Sequence, residues 1–582
     1  MMSTARKERV SGTAELIRLN EYPVRDVLPE LLADKTNGGN ISFGAGNAEK
    51  ERVSAEMLPG KEPVPDIRPR VLKEQEKQLE RTRKNAEVFT PLWVVRKMTE
   101  LADAELRKTE KYREWQGYVG AKVLELTCGE APFLVTRYDA VSGEPVPLYE
   151  RTGMLDRKLR AIKAGSAGEW TEWAYRAYEA VFGYELSGDN LLIARVNLLI
   201  TFCDCMEELW HRRASENELL RLADIIVGNL LQKDGLAKTG EAHERFDLVI
   251  GNPPYQEETT GGSNTAPPVY HLFMEEAYRV SDRVVLITPA RFLFNAGYTP
   301  KTWNGKMLGD PHFKVVSYYP DPREVFGEAE IKGGVAITYR DENSDFGAVG
   351  TFMRSDILGS ILCKVTERKD FVSMSDIVVT SFAYHFTPLM YDENPALADR
   401  ASKGHRYDLQ SNTFEKYPEI FSEKPLKDRE NIRILGRSRN ERRYRYIDRR
   451  YVNEVSNLGR YKVFMPKAGG RGMFGEPLPE PVIGLPGDGA TVTFTGIGSF
   501  GTAAEAENCA RYIRTKFARA LLGVLKVTQE LTPAKWRYVP VQDFGAGSFI
   551  GQCGTDAQLD VMLYEKYGLT AEEREFIERN VK

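Results

Sequence analysis

Two patterns of hydrophobic and polar residues divide the chain. Up to about residue 340, short β-branched apolar runs alternate with longer runs of helical spacing, which predicts an α/β fold with a Rossmann-like sheet. Beyond about 350, short alternating strands, aromatic residues and loops replace this pattern, and 555–582 has the spacing of two amphipathic helices. The runs predicted to be strands are 123–126, 180–185, 223–230, 246–250, 283–293 with its loop, and a hairpin of 324–326 with 331–339.

The same patterns predict four regions. Residues 1–84 form an irregular N-terminal arm that ends in a charged helix over about 64–84. Residues 85–345 form the α/β domain, and 346–545 form a mixed α+β domain. Residues 546–582 are the C-terminal helices.

The composition is that of a soluble globular protein. Hydrophobic residues make up 42% and charged residues 28% of the 582. No run approaches the roughly 20 apolar residues that cross a membrane, and the start, MMSTARKERV, has no apolar signal core. We therefore expect a cytoplasmic protein with no membrane partner. The six cysteines never form Cys-x-x-Cys and the six histidines are dispersed, so no metal site is predicted.

The strand predicted at 246–250 ends in a stiff loop. Its residues are Asn252, Pro253, Pro254 and Tyr255. Proline fixes φ and lacks an N–H, so the loop presents bare carbonyls beside an amide and an aromatic ring. Ligands bind at the carboxyl ends of strands in an open α/β sheet. The Asn252 amide oxygen and the Pro253 carbonyl can both accept hydrogen bonds from an exocyclic amino group, and Tyr255 can stack on the base that carries it.

Three further segments place polar residues where such a sheet binds ligands. Thr90 precedes Pro91 and an amphipathic run, as an N-cap residue precedes a helix with proline in its first position. The turn over 127–132 follows the first strand, its Gly129 permits close approach of a ligand, and the apolar run after it predicts a helix. Glu185 ends the second strand, where a carboxylate can accept both hydroxyls of a ribose.

These segments resemble, in their order along the chain, the motifs of gamma-class adenine-N6 DNA methyltransferases of restriction-modification systems. The resemblance implies an S-adenosylmethionine-dependent methyltransferase sheet followed by a DNA target-recognition domain. It extends motif by motif over about 85–340 and is looser beyond. The first cofactor motif departs from the family, because only Gly129 of its usual two or three glycines is kept.

The resemblance implies a role for each motif residue. Asn252, Pro253, Pro254 and Tyr255 are the expected catalytic residues, acting on N6 of an adenine flipped out of the duplex. The residues it implies for S-adenosylmethionine binding precede the first strand or lie at strand ends: Phe89, Thr90, Pro91, Glu125, Thr127, Cys128, Gly129, Glu130, Pro132, Glu185 and Asn229. Either Glu125 or Glu130 would meet the amino group of the cofactor. Asn229 stands at the predicted end of the third strand, where the family has an aspartate for the cofactor's adenine. Phe326 is a candidate for contact with the extruded adenine or a core residue.

A basic segment lies in the expected recognition domain. Residues 437–451 carry seven arginines against two acids, interleaved with three tyrosines. Arginine reads guanine edges and grips phosphates, although a solvated basic face has the same composition. The candidate DNA-binding residues are Arg437, Arg439, Arg442, Arg443, Arg445, Lys467 and Lys516. Double-stranded DNA is the expected partner, and a separately encoded restriction endonuclease stays open as a second.

Other functions stay open at this point. The same loop serves methyltransferases of RNA and of protein glutamine, and the reduced glycine content would suit a catalytically silent specificity subunit. Pro320-Asp321 with Glu330-Ile331-Lys332 fits a short metal-nuclease pattern, but it falls within the predicted closing strands of the sheet. The arm 1–84 is short for a nuclease domain. The expected function is site-specific methylation of adenine N6 in DNA for restriction-modification or phage defence, in a cytoplasmic, nucleoid-associated protein, with cytosine N4 as the open alternative target.

Overall fold

The structure is a computed structural model that describes residues 16–43, 51–52, 67–73, 89–236, 245–257, 267–327, 331–439 and 441–582. Most of the predicted arm and charged helix, together with residues 85–88 and Glu330, lies outside these residues. The chain divides into two compact units, Met1–Ala290 with Tyr298–Gly350, and Arg291–Gly297 with Thr351–Lys582. None of the described helices combines the length and apolar character needed to cross a lipid bilayer.

The described part of the first unit begins with a short helix and four two-residue strands. These elements are α1 (Val24–Leu32), β1 (Ala33–Asp34), β2 (Gly39–Asn40), β3 (Ser42–Phe43) and β4 (Glu51–Arg52). The strands form two antiparallel pairs, β1 with β2 and β3 with β4.

A seven-stranded sheet forms the centre of this unit. Its strands are β5 (Val123–Glu125), β6 (Val181–Glu185), β7 (Leu230–Gln232), β8 (Leu248–Gly251), β9 (Arg283–Pro289), β10 (Phe313–Tyr319) and β11 (Val335–Asp341). They lie in the order β10-β11-β9-β8-β5-β6-β7. All neighbours are parallel except β11, which is antiparallel to both β9 and β10. The predicted α/β fold with a Rossmann-like sheet is confirmed.

The order of the strands fixes where a ligand can bind. The chain enters the sheet at β5, runs to one edge through β6 and β7, and returns to β8 on the other side of β5. This reversal is a topological switch point, at which open α/β sheets leave a crevice outside the carboxyl ends of their strands. Both β5 and β8 are buried throughout, as central parallel strands are.

Helices connect the strands. They are α2 (Leu92–Arg107), α3 (Trp115–Val119), α4 (Met154–Ala161), α5 (Ala167–Glu179), α6 (Gly188–Trp210), α7 (Glu216–Asn229), α8 (Tyr270–Val280), α9 (Lys301–Gly309) and α10 (Arg323–Phe326). The buried guanidinium of Arg195 in α6 donates to the carbonyls of Leu31, Ala33 and Leu230 at 2.7–2.8 Å. This arginine ties the N-terminal segment to the edge strand β7.

The strand predicted over 223–230 is wrong, because most of that segment is helical. α7 begins with a capping box in which Ser215 and Glu218 each accept the other's backbone N–H. Its buried residues repeat at helical spacing: Leu219, Leu222, Ala223, Ile226 and Val227. The third strand of the sheet is confined to Leu230–Gln232.

The predicted hairpin is wrong in its first arm. The segment 324–326 belongs to α10, and the strand that pairs with β11 is β10. Pro320 and Pro322 follow β10 directly. Because proline cannot donate to a β-ladder, they end the strand before residue 324.

The helix predicted after the turn 127–132 is also absent from the structure, in which turns cover this described segment. The backbone N–H of Leu134 donates to the Glu125 carboxylate at 3.0 Å, and that of Thr136 donates to Asp156 at 2.9 Å. These side chains satisfy amides that a helix would have used for its own ladder.

The second unit contains two sheets and several helices. Its elements are α11 (Asp356–Thr366), β12 (Val378–Val379), α12 (Pro388–Glu393), α13 (Thr413–Lys416), β13 (Asn431–Ser438), β14 (Glu441–Asp448), β15 (Tyr461–Pro466), β16 (Val482–Gly484), β17 (Asp488–Ala490), β18 (Phe494–Phe500), α14 (Ala503–Tyr512), α15 (Lys516–Leu525), α16 (Phe549–Gln552), α17 (Asp556–Lys566) and α18 (Ala571–Asn580). The sheets have the orders β12-β18-β15-β16 and β14-β13-β17. The two helices predicted over 555–582 are confirmed, and they share a hydrophobic core with α11 and α15.

Candidate functional site

The predicted catalytic loop lies at the carboxyl end of β8, beside the switch point. Asn252 follows the strand directly, and Pro253 and Tyr255 are buried. A Cβ on Gly251 would lie 2.7 Å from the carbonyl oxygen of Leu126. Only glycine therefore lets β8 end this close to the loop that follows β5.

Thr90 holds the side chain of Asn252. The Asn252 Nδ2 donates to Thr90 Oγ1 at 3.2 Å, and Thr90 is 3% exposed. The prediction of Thr90 as a helix N-cap is wrong, because Pro91 occupies that position and α2 begins at Leu92. The N–H of Leu92 donates instead to the carboxylate of Asp139 at 3.2 Å. The Thr90 hydroxyl is therefore directed to the catalytic loop.

The loop after β5 meets the acid that ends β6. Thr127, Gly129 and Ala131 have φ values of 55°, 55° and 60°, so the backbone coils tightly. Its Gly129 N–H donates to Glu185 Oε2 at 2.8 Å, and the Ser187 N–H donates to Glu185 Oε1 at 2.8 Å. This arrangement holds the carboxylate at the carboxyl edge of the sheet, as predicted.

The Phe89 side chain packs against this loop. Its ring lies 3.8 Å from where a Cβ on Gly129 would stand. Cys128 packs on the other side of the loop, where a Cβ on Gly183 would lie 2.9 Å from its Sγ. Burial raises the pKa of the Cys128 thiol well above its usual range, and the nearby carboxylates of Glu125 and Glu185 raise it further. Cys128 is thus a buried packing residue of the predicted cofactor loop.

Glu125 and Glu130 are both buried, at 1% and 2% exposure. Burial raises the pKa of the Glu125 carboxyl well above its usual range, the Phe133 and Leu134 amides lower it, and Glu185 raises it. The Glu130 carboxylate accepts from the Arg70 N–H at 2.7 Å and from the Tyr138 hydroxyl at 2.7 Å. Glu130 therefore ties together three parts of the chain. Pro132 follows in the same turn and is half-buried.

The segment 67–73 adds a strap beside this loop. Lys73, with its side chain 3% exposed, forms an ion pair of 2.6 Å with Asp189 in the first turn of α6. The Arg70 guanidinium lies 4.8 Å from the centroid of the Phe89 ring. Together with the bond to Glu130, these contacts fix the strap to the cofactor loop and to the helix that follows Glu185.

Asn229 does not lie at the end of a strand. Its Nδ2 donates to the carbonyls of Tyr178, Glu179 and Val181 at 3.0–3.1 Å, at the amino end of β6. Glu185 stands at the opposite end of the same strand. Lys233 and Asp234 are the residues that follow the third strand.

Two residues near the carboxyl ends of β6 and β7 were not identified as site candidates from the sequence. Asp234 follows β7, and the adjacent Gly235 lies against Thr127 and Leu126. Leu186 follows Glu185 and is 60% exposed. An exposed leucine directly after a strand-end acid and an Asp-Gly pair after an apolar run are the signals that would have found them.

An aromatic contact joins the catalytic loop to α10. The rings of Tyr255 and Phe326 meet edge to face, with centroids 6.2 Å apart. Within the described residues, the buried Tyr255 hydroxyl has no hydrogen-bond partner. Burial raises the pKa of this hydroxyl above its usual value. Phe326 thus lies where its ring can flank the same ligand as Tyr255.

In the second unit, the basic segment forms the hairpin of β13 and β14. Arg437 and Arg442 face each other across it, and Arg439 lies in its turn with φ of 49°. Arg437, Arg439, Arg442 and Arg443 are exposed. Arg442 donates to the Glu480 carbonyl at 2.9 Å, and Arg443 pairs with a glutamate on its own strand. The tip of the hairpin is therefore rich in exposed guanidinium groups.

The other three candidate DNA-binding residues, Arg445, Lys467 and Lys516, contact neighbouring side chains. Arg445 pairs with Glu423 at 2.7 Å. Lys516 pairs with Glu578 at 2.5 Å and so joins α15 to α18. The Lys467 Nζ lies 4.9 Å from the centroid of the partly exposed Phe382 ring. These three side chains are half-buried, whereas the four arginines of the hairpin tip are exposed.

Comparison with known proteins supports the resemblance seen in the motifs. Residues 179–326, which run from β6 to α10 and include Asn252, match the family model described as Eco57I restriction-modification methylase. A protein of Mycoplasma pneumoniae (strain ATCC 29342 / M129 / Subtype 1), described as an uncharacterized adenine-specific methylase, is 29% identical over 115 residues. The match covers 19% of this chain and 27% of that protein. The chain is similar to restriction-modification methylases.

Three solved structures are similar to this chain at low sequence identity. The type IIG restriction endonuclease BpuSI has a TM-score of 0.33 and 10% identity, over 84% of this chain and 62% of that one. The type IIL restriction-modification enzyme MmeI, in complex with DNA, has a TM-score of 0.36 and 10% identity, over 81% and 68%. The EcoKI M protein has a TM-score of 0.26 and 16% identity, over 45% of each chain.

Proposed function

We propose that this chain is a DNA methyltransferase that transfers a methyl group from S-adenosylmethionine to N6 of an adenine flipped out of duplex DNA. The observation that carries the proposal is the hydrogen bond from Asn252 Nδ2 to Thr90 Oγ1, which orients the first residue of an Asn-Pro-Pro-Tyr loop beside the switch point of the sheet. Restriction-modification or phage defence is the setting that the matched family suggests. A separately encoded restriction endonuclease is a further proposed partner.

The residues of the switch point fit S-adenosylmethionine. When bound, this cofactor supplies an electrophilic methyl group on a sulfonium centre. Two backbone N–H groups hold the Glu185 carboxylate at the end of β6, where a carboxylate can accept hydrogen bonds from the hydroxyls of a ribose. The exposed side chain of Leu186 can cover the adenine ring of the cofactor. The Asp234 carboxylate can accept a hydrogen bond from the amino group of that adenine. The coiled backbone around Gly129, with the Phe89 ring beside it, provides a wall for the methionine end.

The catalytic loop suits an amino group as the nucleophile. The lone pair of adenine N6 is delocalised into the ring, so the amine attacks poorly unless its hydrogens are held out of the ring plane. Because Asn252 Nδ2 donates to Thr90, its Oδ1 is the atom turned to accept one N6 hydrogen, and the Pro253 carbonyl accepts the other. Tyr255 and Phe326 hold the base plane, and positioning provides most of the acceleration.

The exposed arginines of the β13–β14 hairpin are proposed to contact the DNA. A two-stranded β-ribbon fits the major groove, and arginine recognises guanine and phosphate there. We assign this role to Arg437, Arg439, Arg442 and Arg443, together with Lys467. Arg445 and Lys516 are proposed to support the unit through their ion pairs.

Nucleoside analysis tests the proposed reaction. Purified chain, S-adenosylmethionine and DNA from a methylation-free host should yield N6-methyldeoxyadenosine by mass spectrometry. Asn252→Ala should still bind cofactor and should lower the rate at least about 100-fold. N4-methyldeoxycytidine would change the proposed target base, and labelling of RNA or protein but not DNA would overturn the proposal.

A matched pair of variants tests the role of Thr90. Thr90→Val keeps the shape and removes the hydroxyl that accepts from Asn252 Nδ2, so we expect a rate about 5- to 150-fold lower at saturating cofactor. Thr90→Ser keeps the hydroxyl and should stay within about twofold of wild type. Equal rates for both variants would contradict the orienting role.

A further inference from the structure

An exposed aromatic and cationic patch, made of Trp93, Lys97 and Tyr319, lies on the first unit. Trp93 and Lys97 occupy successive turns of one face of α2, and Tyr319 ends β10. The Trp93 and Tyr319 rings meet edge to face with centroids 5.7 Å apart. Lys97 Nζ donates to the Tyr319 hydroxyl at 3.0 Å and lies 5.5 Å from its ring centroid. Trp93 nevertheless stays 44% exposed.

The register of the sheet places this patch on the same edge as the catalytic loop. Val335 pairs both with Tyr319 and with Pro289, the last residue of β9. Because β9 runs parallel to β8, Tyr319 lies at the edge from which Asn252 emerges. Three strand spacings of about 4.8 Å separate β10 from β8, roughly 14 Å in all.

Two chain connections join the patch to the site. Trp93 follows Thr90 by three residues, and Thr90 holds Asn252. Seven residues after Tyr319, Phe326 contacts Tyr255. Two acids lie between them: Asp321 is paired with Arg323 at 2.6 Å, and Glu324 is exposed on α10. The patch thus extends the catalytic edge, and its cation is Lys97, which forms no ion pair within the part of the chain that the structure describes.

A large exposed indole next to a cation is a surface suited to nucleic acid. Aromatic rings stack on any unstacked base, and a lysine beside them can meet the phosphate backbone. Flipping one base leaves its neighbours partly unstacked and accessible to such a ring.

We infer that the patch binds the DNA strand next to the flipped adenine, with Trp93 stacking on a neighbouring base and Lys97 meeting a phosphate. This inference rests on the proposed function. It adds a DNA contact on the catalytic unit that is independent of the arginine hairpin.

Equilibrium binding of the full chain to a duplex carrying its methylation motif tests the stacking. Trp93→Ala should weaken DNA binding about 5- to 150-fold, whereas Trp93→Phe should lose much less. Affinity for S-adenosylmethionine should be unchanged, which verifies that the variant is folded. Leu209→Ala is the control, since it removes an exposed apolar residue at the far end of α6, roughly 30 Å from that helix's start.

Two further readouts separate stacking and charge from a structural role. 2-Aminopurine beside the target adenine should be quenched by the wild type and bright with Trp93→Ala. Lys97→Met should lower the slope of log affinity against log salt by about one, whereas Lys163→Met should not.

DNA binding and 2-aminopurine signals equal to wild type in Trp93→Ala would overturn the inference, as would a changed oligomeric state as the main effect of this variant. A wild-type chain that methylates no DNA would instead overturn the proposed function.

Discussion

Replacing Lys73 with methionine should release the strap, residues 67–73, that lies beside the predicted cofactor loop. The ion pair of Lys73 with Asp189 is 2.6 Å long, with side chains 3% and 18% exposed. Removing one partner of a fully buried pair costs about 3–5 kcal/mol. Because water still reaches Asp189, we reduce this estimate to about 2–3 kcal/mol. Local opening of the strap should become more frequent by the corresponding factor, about 30- to 150-fold.

Hydrogen–deuterium exchange of peptides covering 67–73 measures this opening directly. The informative amides are those of Arg70, Leu72 and Lys73, which donate to Glu130, Pro69 and Arg70. The double variant Lys73→Met/Asp189→Asn should recover most of the protection, because both charges of the pair are then removed together.

The matched control is an ion pair of the same N-terminal region that lies in water. Lys35 and Asp224 are 2.5 Å apart with side chains 44% and 74% exposed, so Lys35→Met should cost about 1 kcal/mol or less. It should leave exchange over 67–73 unchanged. Wild-type exchange in Lys73→Met, or equal acceleration in both variants, would refute the reasoning that burial makes the strap dependent on its ion pair.

Three further predictions concern stability and DNA binding. Burial lowers the pKa of Lys158 to about 7, so the folded chain binds fewer protons than the unfolded chain between about pH 7 and 10.5. In urea unfolding, wild type should therefore gain about 2–3 kcal/mol over Lys158→Met between pH 7.5 and 9.5, and a constant difference would count against this. Gly251→Ala should lower the unfolding free energy by about 1–3 kcal/mol, whereas Gly168→Ala, with nothing within 4 Å of the new Cβ, should raise it slightly in the same measurement. Arg437→Gln should lower the salt slope of DNA binding by about one, and Arg450→Gln, whose guanidinium is held by two carboxylates, should change it less.

The sequence predicts the part of the fold in which local pattern and tertiary environment agree. The strands at 123, 181, 248 and 283 are buried apolar runs, so burial and β-propensity point the same way. The strand prediction for 223–230 is wrong because the apolar run Ile225-Ile226-Val227 also fits a helix. Periodicity over so short a window cannot separate the two, and the decisive signal was the capping box at Ser215, eight residues earlier.

The site shows the same division between what is local and what requires contacts over long distances. Glu185 is placed correctly because it directly ends a strand. The local sequence could not show the role of the Thr90 hydroxyl. At the start of α2, the Leu92 N–H donates to Asp139, which lies 47 residues further along the chain, and not to Thr90. Likewise, nothing in the arginine-rich segment tells Arg445, which pairs with Glu423, from the exposed Arg437.

Long-read sequencing of genomic DNA from a methylation-free bacterial host that expresses this chain tests the central claim most directly. We predict one sequence motif that carries N6-methyladenine with the intact chain and no modification with Asn252→Ala. Unmodified DNA from both strains, with a wild-type chain that is folded and binds S-adenosylmethionine, would contradict the account. It would redirect the search toward RNA, protein or a silent DNA-binding role.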